Sequence, residues 1–227
     1  MIRTLTASTE NIDDFDAAIE DIKKGLDLEH KLLKNAVGII ACHYEFAESG
    51  ALKAICGALP FETCGTISSA QSTEKTAGAL CFSLMVLTSD TLSFKTAVTP
   101  SLREKSGQLI EETYKTAAGS EKPSTIFTFA PFMPENSGDD YVNTLTKASG
   151  GLPVFGTLAV DDTADFHECF MLHNGNHYRD RMSLILVYGG FQPQFRLASI
   201  SKGKILEQSA LITGSEGHIL KELNGRP

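Results

Sequence analysis

His43 directly follows Cys42 at the end of the apolar run Val37 to Cys42, and a thiol within reach of an imidazole is the arrangement that activates a cysteine nucleophile. Neighbouring residues of a strand point to opposite faces, so an unbent strand keeps Cys42 and His43 apart and leaves Cys64 as the thiol able to face His43. A cysteine-dependent hydrolase or transferase using Cys64 or Cys42 with His43 is therefore one reading. Strand-end packing or ligand contact is the other.

A second constellation is built from small residues. Leu59 to Ala70 reads LPFETCGTISSA, and Gly151 to Asp162 reads GLPVFGTLAVDD, a near copy whose Leu-Pro to Gly-Thr spacing is two residues shorter. Taken as turns, Gly65-Thr66 and Gly156-Thr157 offer backbone N–H groups that, with the hydroxyls of Ser68 and Ser69, suit a carboxylate. Asp161 and Asp162 suit an ammonium group or a cation, or hydrogen-bond a turn backbone. An acidic end and an amide-rich end together fit a zwitterion. The plainer alternative is that both Gly-Thr pairs only make the fold, glycine for tight backbone and threonine for strand propensity.

His167, Glu168, Cys169, His173 and His177 have metal-ligating side chains, but register decides whether they meet. A two-residue Asn174-Gly175 turn pairs His173 with Asn176 and His177 with Leu172, which sends the imidazoles to opposite faces and assembles no site. No metal and no cofactor is expected. The sequence also lacks G-x-G-x-x-G after a strand, G-x-x-x-x-G-K-[ST] and G-x-S-x-G.

The elements around these residues follow from periodicity. Asn11 is placed to cap a helix with Asp13 and Asp14 in its first turn and Ile12, Phe15, Ile19, Ile22 and Leu26 along one side. Val37 to Cys42 reads as a strand buried on both faces, a short helix carries Leu52, Ile55 and Cys56, and FETCGTI and Ala79 to Ser89 read as strands. The order then recurs: a helical stripe from Leu102 through Leu109, Ile110, Thr113 and Ala117, the strand TIFTFAP, a capping box of Ser137 and Asp140 opening a helix, and the strand LPVFGTLAV. ECFMLH and MSLILVY follow as strands joined through Asn174-Gly175. Residues from about 10 to 90 and from about 100 to 190 thus form two tandem helix-strand-helix-strand-strand units. The fold class is mixed α/β with mixed sheets, stacked with helices outside, or alternatively one continuous sheet. Matching turns at an interface between the halves would frame a cleft. After Gln192 come single strands, QFRLASIS and SALITG, and an ending, ELNGRP, that reads as neither helix nor strand, as though leading into a further part.

Composition narrows the partners. With 28 acidic against 20 basic side chains and a formal charge of −8, the chain repels nucleic acid unless its cations cluster, and they form no stripe. No secretory leader and no membrane-spanning run is legible, and five cysteines without C-x-x-C spacing suit a reducing cytoplasm, so no membrane partner is expected.

The succession VGIIACHYEF, LPFETCGTISSA, GGLPVFGTLAVDD, FMLHNGNHYRDRMSLILVYGG and SALITGSEGHILKELNGRP resembles the N-terminal part of FIST domains, named for F-box and intracellular signal transduction proteins. The most specific pieces are Phe170 to Tyr188 and the run of Gly217, Glu222, Leu223, Asn224, Gly225 and Pro227. Where the family often carries G-G-L-A-G-D-D, this chain has Gly156-Thr157-Leu158-Ala159-Val160-Asp161-Asp162. The resemblance implies a sensory domain that binds a small ligand, an amino acid among the candidates, and passes the signal to a C-terminal FIST part or a signalling partner. The residues expected to bind ligand are His43, Cys64, Gly65, Thr66, Ser68, Gly156, Thr157, Asp161 and Asp162. A third reading is an interaction module without a ligand.

Overall fold

The computed structural model describes residues 1–73, 77–134, 136–163, 167–196, 203, 209–216 and 219–227. In chain order its elements are β1 (Ile2–Thr9), α1 (Phe15–Leu26), α2 (Leu28–Lys31), β2 (Asn35–Cys42), α3 (Tyr44–Glu48), α4 (Ala51–Gly57), β3 (Thr63–Ile67), β4 (Gln71–Ser72), β5 (Ala77–Gly78), β6 (Phe82–Ser89) and β7 (Ser93–Val98). There follow α5 (Ser106–Ala118), β8 (Thr125–Ala130), α6 (Gly138–Ala148), β9 (Val154–Leu158), β10 (Met171–His173), β11 (Asn176–Tyr178), β12 (Ser183–Tyr188), β13 (Ile212–Glu216) and β14 (Ile219–Leu223). Two compact units result, Met1–Phe191 and Gln192–Pro227. Among the described residues no helix is long and apolar enough to cross a membrane.

The larger unit holds two mixed sheets, ordered β1-β6-β2-β3-β10-β11 and β7-β12-β8-β9. The first four strands of one and the four of the other have the same order and sense: each has an antiparallel leading strand, and the parallel pairs are β2 with β3 and β8 with β9. Val37, Cys64 and Met171 of the first sheet and Phe129, Ile185 and Val187 of the second form one buried cluster, so the sheets stack face to face. The opposite face of the first sheet packs on α1, α3 and α4 through Ile22, Leu26, Phe46, Leu52 and Ile55. That of the second packs on α5 and α6 through Ile110, Tyr114, Tyr141 and Leu145. This is the expected mixed α/β architecture, with stacked sheets and outer helices.

Several local readings change. Asp14, not Asn11, caps α1, accepting from the Ala17 N–H at 3.0 Å, while Asn11 donates to Asp21 at 2.8 Å. Ser137 and Asp140 form the expected capping box of α6. Leu102 precedes α5 and is buried beneath it. The Asn174-Gly175 turn has φ of 48° and 75°, as a two-residue hairpin turn requires, and pairs His173 with Asn176 and Leu172 with His177. Its second strand is β11, however. MSLILVY is β12, which crosses to the other sheet because all six of its residues are buried between β7 and β8. In the smaller unit β13 pairs with β14, so the ELNGRP region is reached through a paired strand; the strand expected across 194–201 lies partly outside the described residues.

Gly65 and Gly156 lie in mid-strand, not in turns. A Cβ on Gly65 would stand 2.1 Å from the Ile40 carbonyl oxygen of β2, and one on Gly156 would stand 2.0 Å from that of Thr128 in β8. Glycine, lacking that atom, lets each parallel pair approach this closely. Thr66 and Thr157 each donate to the carbonyl of the next residue at 3.1 Å. Gly65→Ala should cost about 1–3 kcal/mol by overpacking, and Gly156→Ala less, since β9 lies at a sheet edge and can move outward. Urea midpoints of the two variants check the order.

The sheets are also tied by a polar bridge. Thr96 of β7 donates to Glu62 at 2.9 Å and lies 3.0 Å from His173 Nε2 of β10; its one proton being committed, the imidazole must donate through Nε2–H. Burial lowers the His173 pKa, with Glu62 opposing. The unfolded chain then binds more protons below the ordinary histidine pKa of about 6.5, so this contribution is complete above that value and declines as pH falls toward the lowered one. Urea unfolding followed from pH 7.5 to 5 should show a loss of stability that His173→Gln reduces.

Candidate functional site

Open α/β sheets bind ligands beyond the carboxyl ends of their parallel strands. At that end of β2 and β3, the Ser68 N–H donates to the Cys42 carbonyl at 3.0 Å, and the corresponding Ala159 N–H donates to Ala130 at 2.9 Å in the second half. The next residue, Val160, donates to the Ile67 carbonyl at 3.2 Å. One backbone hydrogen bond therefore lays the loop after β9 across the end of β3 and brings Asp162 to the first sheet.

His43 follows β2 and is the N-cap residue of α3, its N–H held by the Cys81 carbonyl at 3.1 Å. Its side chain is 8% exposed and Nε2 lies 3.4 Å from the carboxylate of Asp162, which is 50% exposed. The ring lies against Tyr44, tilted by 37° with centroids 4.4 Å apart. A carboxylate only accepts, so Nε2 carries the proton, and in the neutral imidazole Nδ1 is an acceptor. Nδ1 is buried and has no hydrogen-bond partner among the described residues. Partial burial, then Glu45, Asp162, Glu48 and Glu168, raise the Tyr44 phenol.

Asp161 is a turn former. Its Oδ1 accepts from the N–H and hydroxyl of Thr163 at 3.0 and 2.8 Å, and its Oδ2 from the Glu168 N–H. Arg179 grips Glu168 at 3.0 Å and donates to the His167 carbonyl while lying 4.8 Å from the Phe170 ring centroid, which closes the loop. The Ser68 hydroxyl donates to the Ala70 carbonyl at 2.8 Å, and Ser69 is half-buried. Gln71 and Cys81, which sequence reasoning did not single out, are buried here and joined at 3.1 Å; Gln71 also donates to the Ser68 carbonyl.

His43, Ser68, Asp161 and Asp162 thus share one sheet end. Cys64, Gly65 and Thr66 do not join them: they are buried within β3 between β2 and β10, with the Cys64 thiol directed to the Leu184 carbonyl at 3.7 Å. Gly156 and Thr157 lie in the other sheet, beside a cavity of ≈ 220 Å³ also lined by Thr128, Ala130, Gly138, Asp139, Tyr141, Val142 and Leu158. His173 and His177 sit on opposite faces, one at Thr96, the other tilted against Phe170 with ring centroids 4.7 Å apart, and no group of three metal-ligating side chains assembles among the described residues.

Burial raises all five thiols: Cys42 and Cys64 well above the ordinary range, Cys56 and Cys81 upward, and Cys169 to about 11. A nucleophilic cysteine needs the opposite shift. All five cysteines are buried, so a thiol reagent at neutral pH should modify the native chain only slowly; rapid stoichiometric labelling of Cys42 or Cys64 would contradict this.

No curated protein matches the sequence. Among solved structures, a crystal structure of cyanuric acid hydrolase from A. caulinodans is similar at 9% identity, covering 82% of this chain and 71% of that one, with a TM-score of 0.36. A likeness of that size carries neither fold nor activity across. The FIST N domain model matches residues 36–226, from β2 through the β13–β14 hairpin, and with that span of the chain matched, the protein belongs to the FIST N domain family.

Proposed function

We propose that this FIST domain is an intracellular sensory domain that takes a small ammonium-bearing metabolite, an amino acid among them, at the carboxyl ends of β2 and β3. The contact between the nearly buried His43 and the half-exposed carboxylate of Asp162, 3.4 Å apart at one sheet end, carries the reading. The half-exposed carboxylate of Asp162 and the acidic surroundings of Tyr44 favour a cation over an anion. The carboxylate half of a zwitterion has less support, because the Gly65 and Thr66 backbone is enclosed in the sheet and the Ser68 hydroxyl is already engaged.

Asp162 belongs to a loop whose start is anchored on β3 by the backbone bond from Val160 to Ile67, so a ligand bridging Asp162 and His43 binds one placement of that loop better than others. That difference in affinity is what shifts a population and passes a signal to a C-terminal FIST part or a partner protein. Calorimetry against a panel of amino acids and simple amines is the test. Heat should come from at least one amine-bearing compound, with Asp162→Asn weakening it about tenfold or more and His43→Ala abolishing it. Silence across the panel, or binding indifferent to both substitutions, would sink the reading.

A further inference from the structure

The two sheets differ at one edge. In the first, β3 is covered by β10, with Met171, Leu172 and His173 opposite Thr66, Gly65 and Cys64. Leu172 enters the helix-side core and Met171 the layer between the sheets. The corresponding strand of the second sheet, β9, ends its sheet, and among the described residues nothing pairs with its outer edge. Pro153 and Ala159 spend their bonding groups on β8, so by alternation those of Val154, Gly156 and Leu158 point outward. On the helix side of that edge lies the ≈ 220 Å³ cavity, where Thr128 stands in the place that Ile40 fills in the first half. The Thr128 hydroxyl is buried without a hydrogen-bond partner among the described residues. On the other side Phe155, packed edge-on to Phe127, remains 54% exposed.

We propose that the open edge of β9 is a strand-docking site for an extended segment of a partner protein. The segment runs antiparallel to β9, as β10 does to β3. It carries a leucine-sized side chain opposite Gly156, filling the cavity, and an apolar residue opposite Thr157, covering Phe155. Asp139 at the cavity rim selects a basic residue nearby. Main-chain bonds to the outward N–H and C=O groups supply affinity and alternate side chains supply specificity. The molecule's own β10 shows which chemistry seals such an edge, and this site is independent of the one at His43.

The probe is a fluorescein-labelled peptide, Lys-Phe-Met-Leu-His-Lys, copying Phe170–His173 between lysines, titrated into the full chain by fluorescence anisotropy. It should bind, protect the amides of Val154, Gly156 and Leu158 from hydrogen exchange, and lose about tenfold or more in affinity when aspartate replaces its leucine. Thr128→Ile, which installs the first half's residue and fills the cavity, should weaken the peptide by a similar factor without lowering Tm. Equal affinity for both peptides, no binding of either, or binding untouched by Thr128→Ile overturns the proposal. Concentration-dependent dimerisation abolished by Phe155→Lys, without peptide binding, would also overturn it and assign the edge to a second copy of the chain.

Discussion

The apolar layer between the two sheets is the constraint on which the larger unit depends. Val37, Cys64 and Met171 meet Ile185, Val187 and Phe129 with no more than a few per cent of any side chain left in water. A fully buried leucine- or valine-sized side chain contributes about 1.5–3 kcal/mol, so this layer outweighs any single polar contact in the molecule. Because each sheet also carries helices on its far face, its central strands are buried on both sides. Among the described residues, buried side-chain polar atoms without a partner include His43 Nδ1 beside the carboxyl end of β2 and the Thr128 hydroxyl beside the cavity at β9, with Ser183 and Tyr188 of β12 as further cases.

The glycines follow from the same packing. Strands pressed between two cores must lie close to their neighbours, and Gly65 and Gly156 permit an approach that any Cβ would block. The chain resembles itself at LPFETCGT and GLPVFGTL because both halves solve that one problem with the same backbone. What differs is what comes next. After β3 the chain makes the short β4–β5 hairpin; after β9 it sends a loop over the end of β3 and then the β10–β11 hairpin along its edge. The second half thereby completes the first, and among the described residues no strand pairs with the outer edge of β9.

Much of this was legible. The runs that became β2, β6, β8 and β12 are apolar and β-branched, the capping box announced α6, and Asn174-Gly175 fixed the register that separates His173 from His177. β1 and β7 escaped notice because Thr, Ser, Arg and Lys fill their sequences; they end their sheets, and only alternate residues such as Leu5 and Ala7 face the core. The destination of β12 was hidden since an apolar run states its burial but not which sheet buries it. Reading Gly-Thr as a turn followed from what glycine usually marks; its real reason is a carbonyl on a neighbouring strand, which no local pattern reveals. Asp162 was a candidate from its type, yet its contact with His43, far earlier in the chain, rests on the long-range bond from Val160 to Ile67.

A ligand held between His43 and Asp162 must touch both halves at once. Backbone amide NMR of the isotopically labelled chain, titrated with an amine-bearing ligand found by calorimetry, reads that directly. Concerted shifts of the amides of His43 to Glu45 and of Val160 to Thr163, with one common dissociation constant, are the expected result. Shifts limited to one of these segments, or lying elsewhere in the molecule, would contradict a site assembled across the two halves.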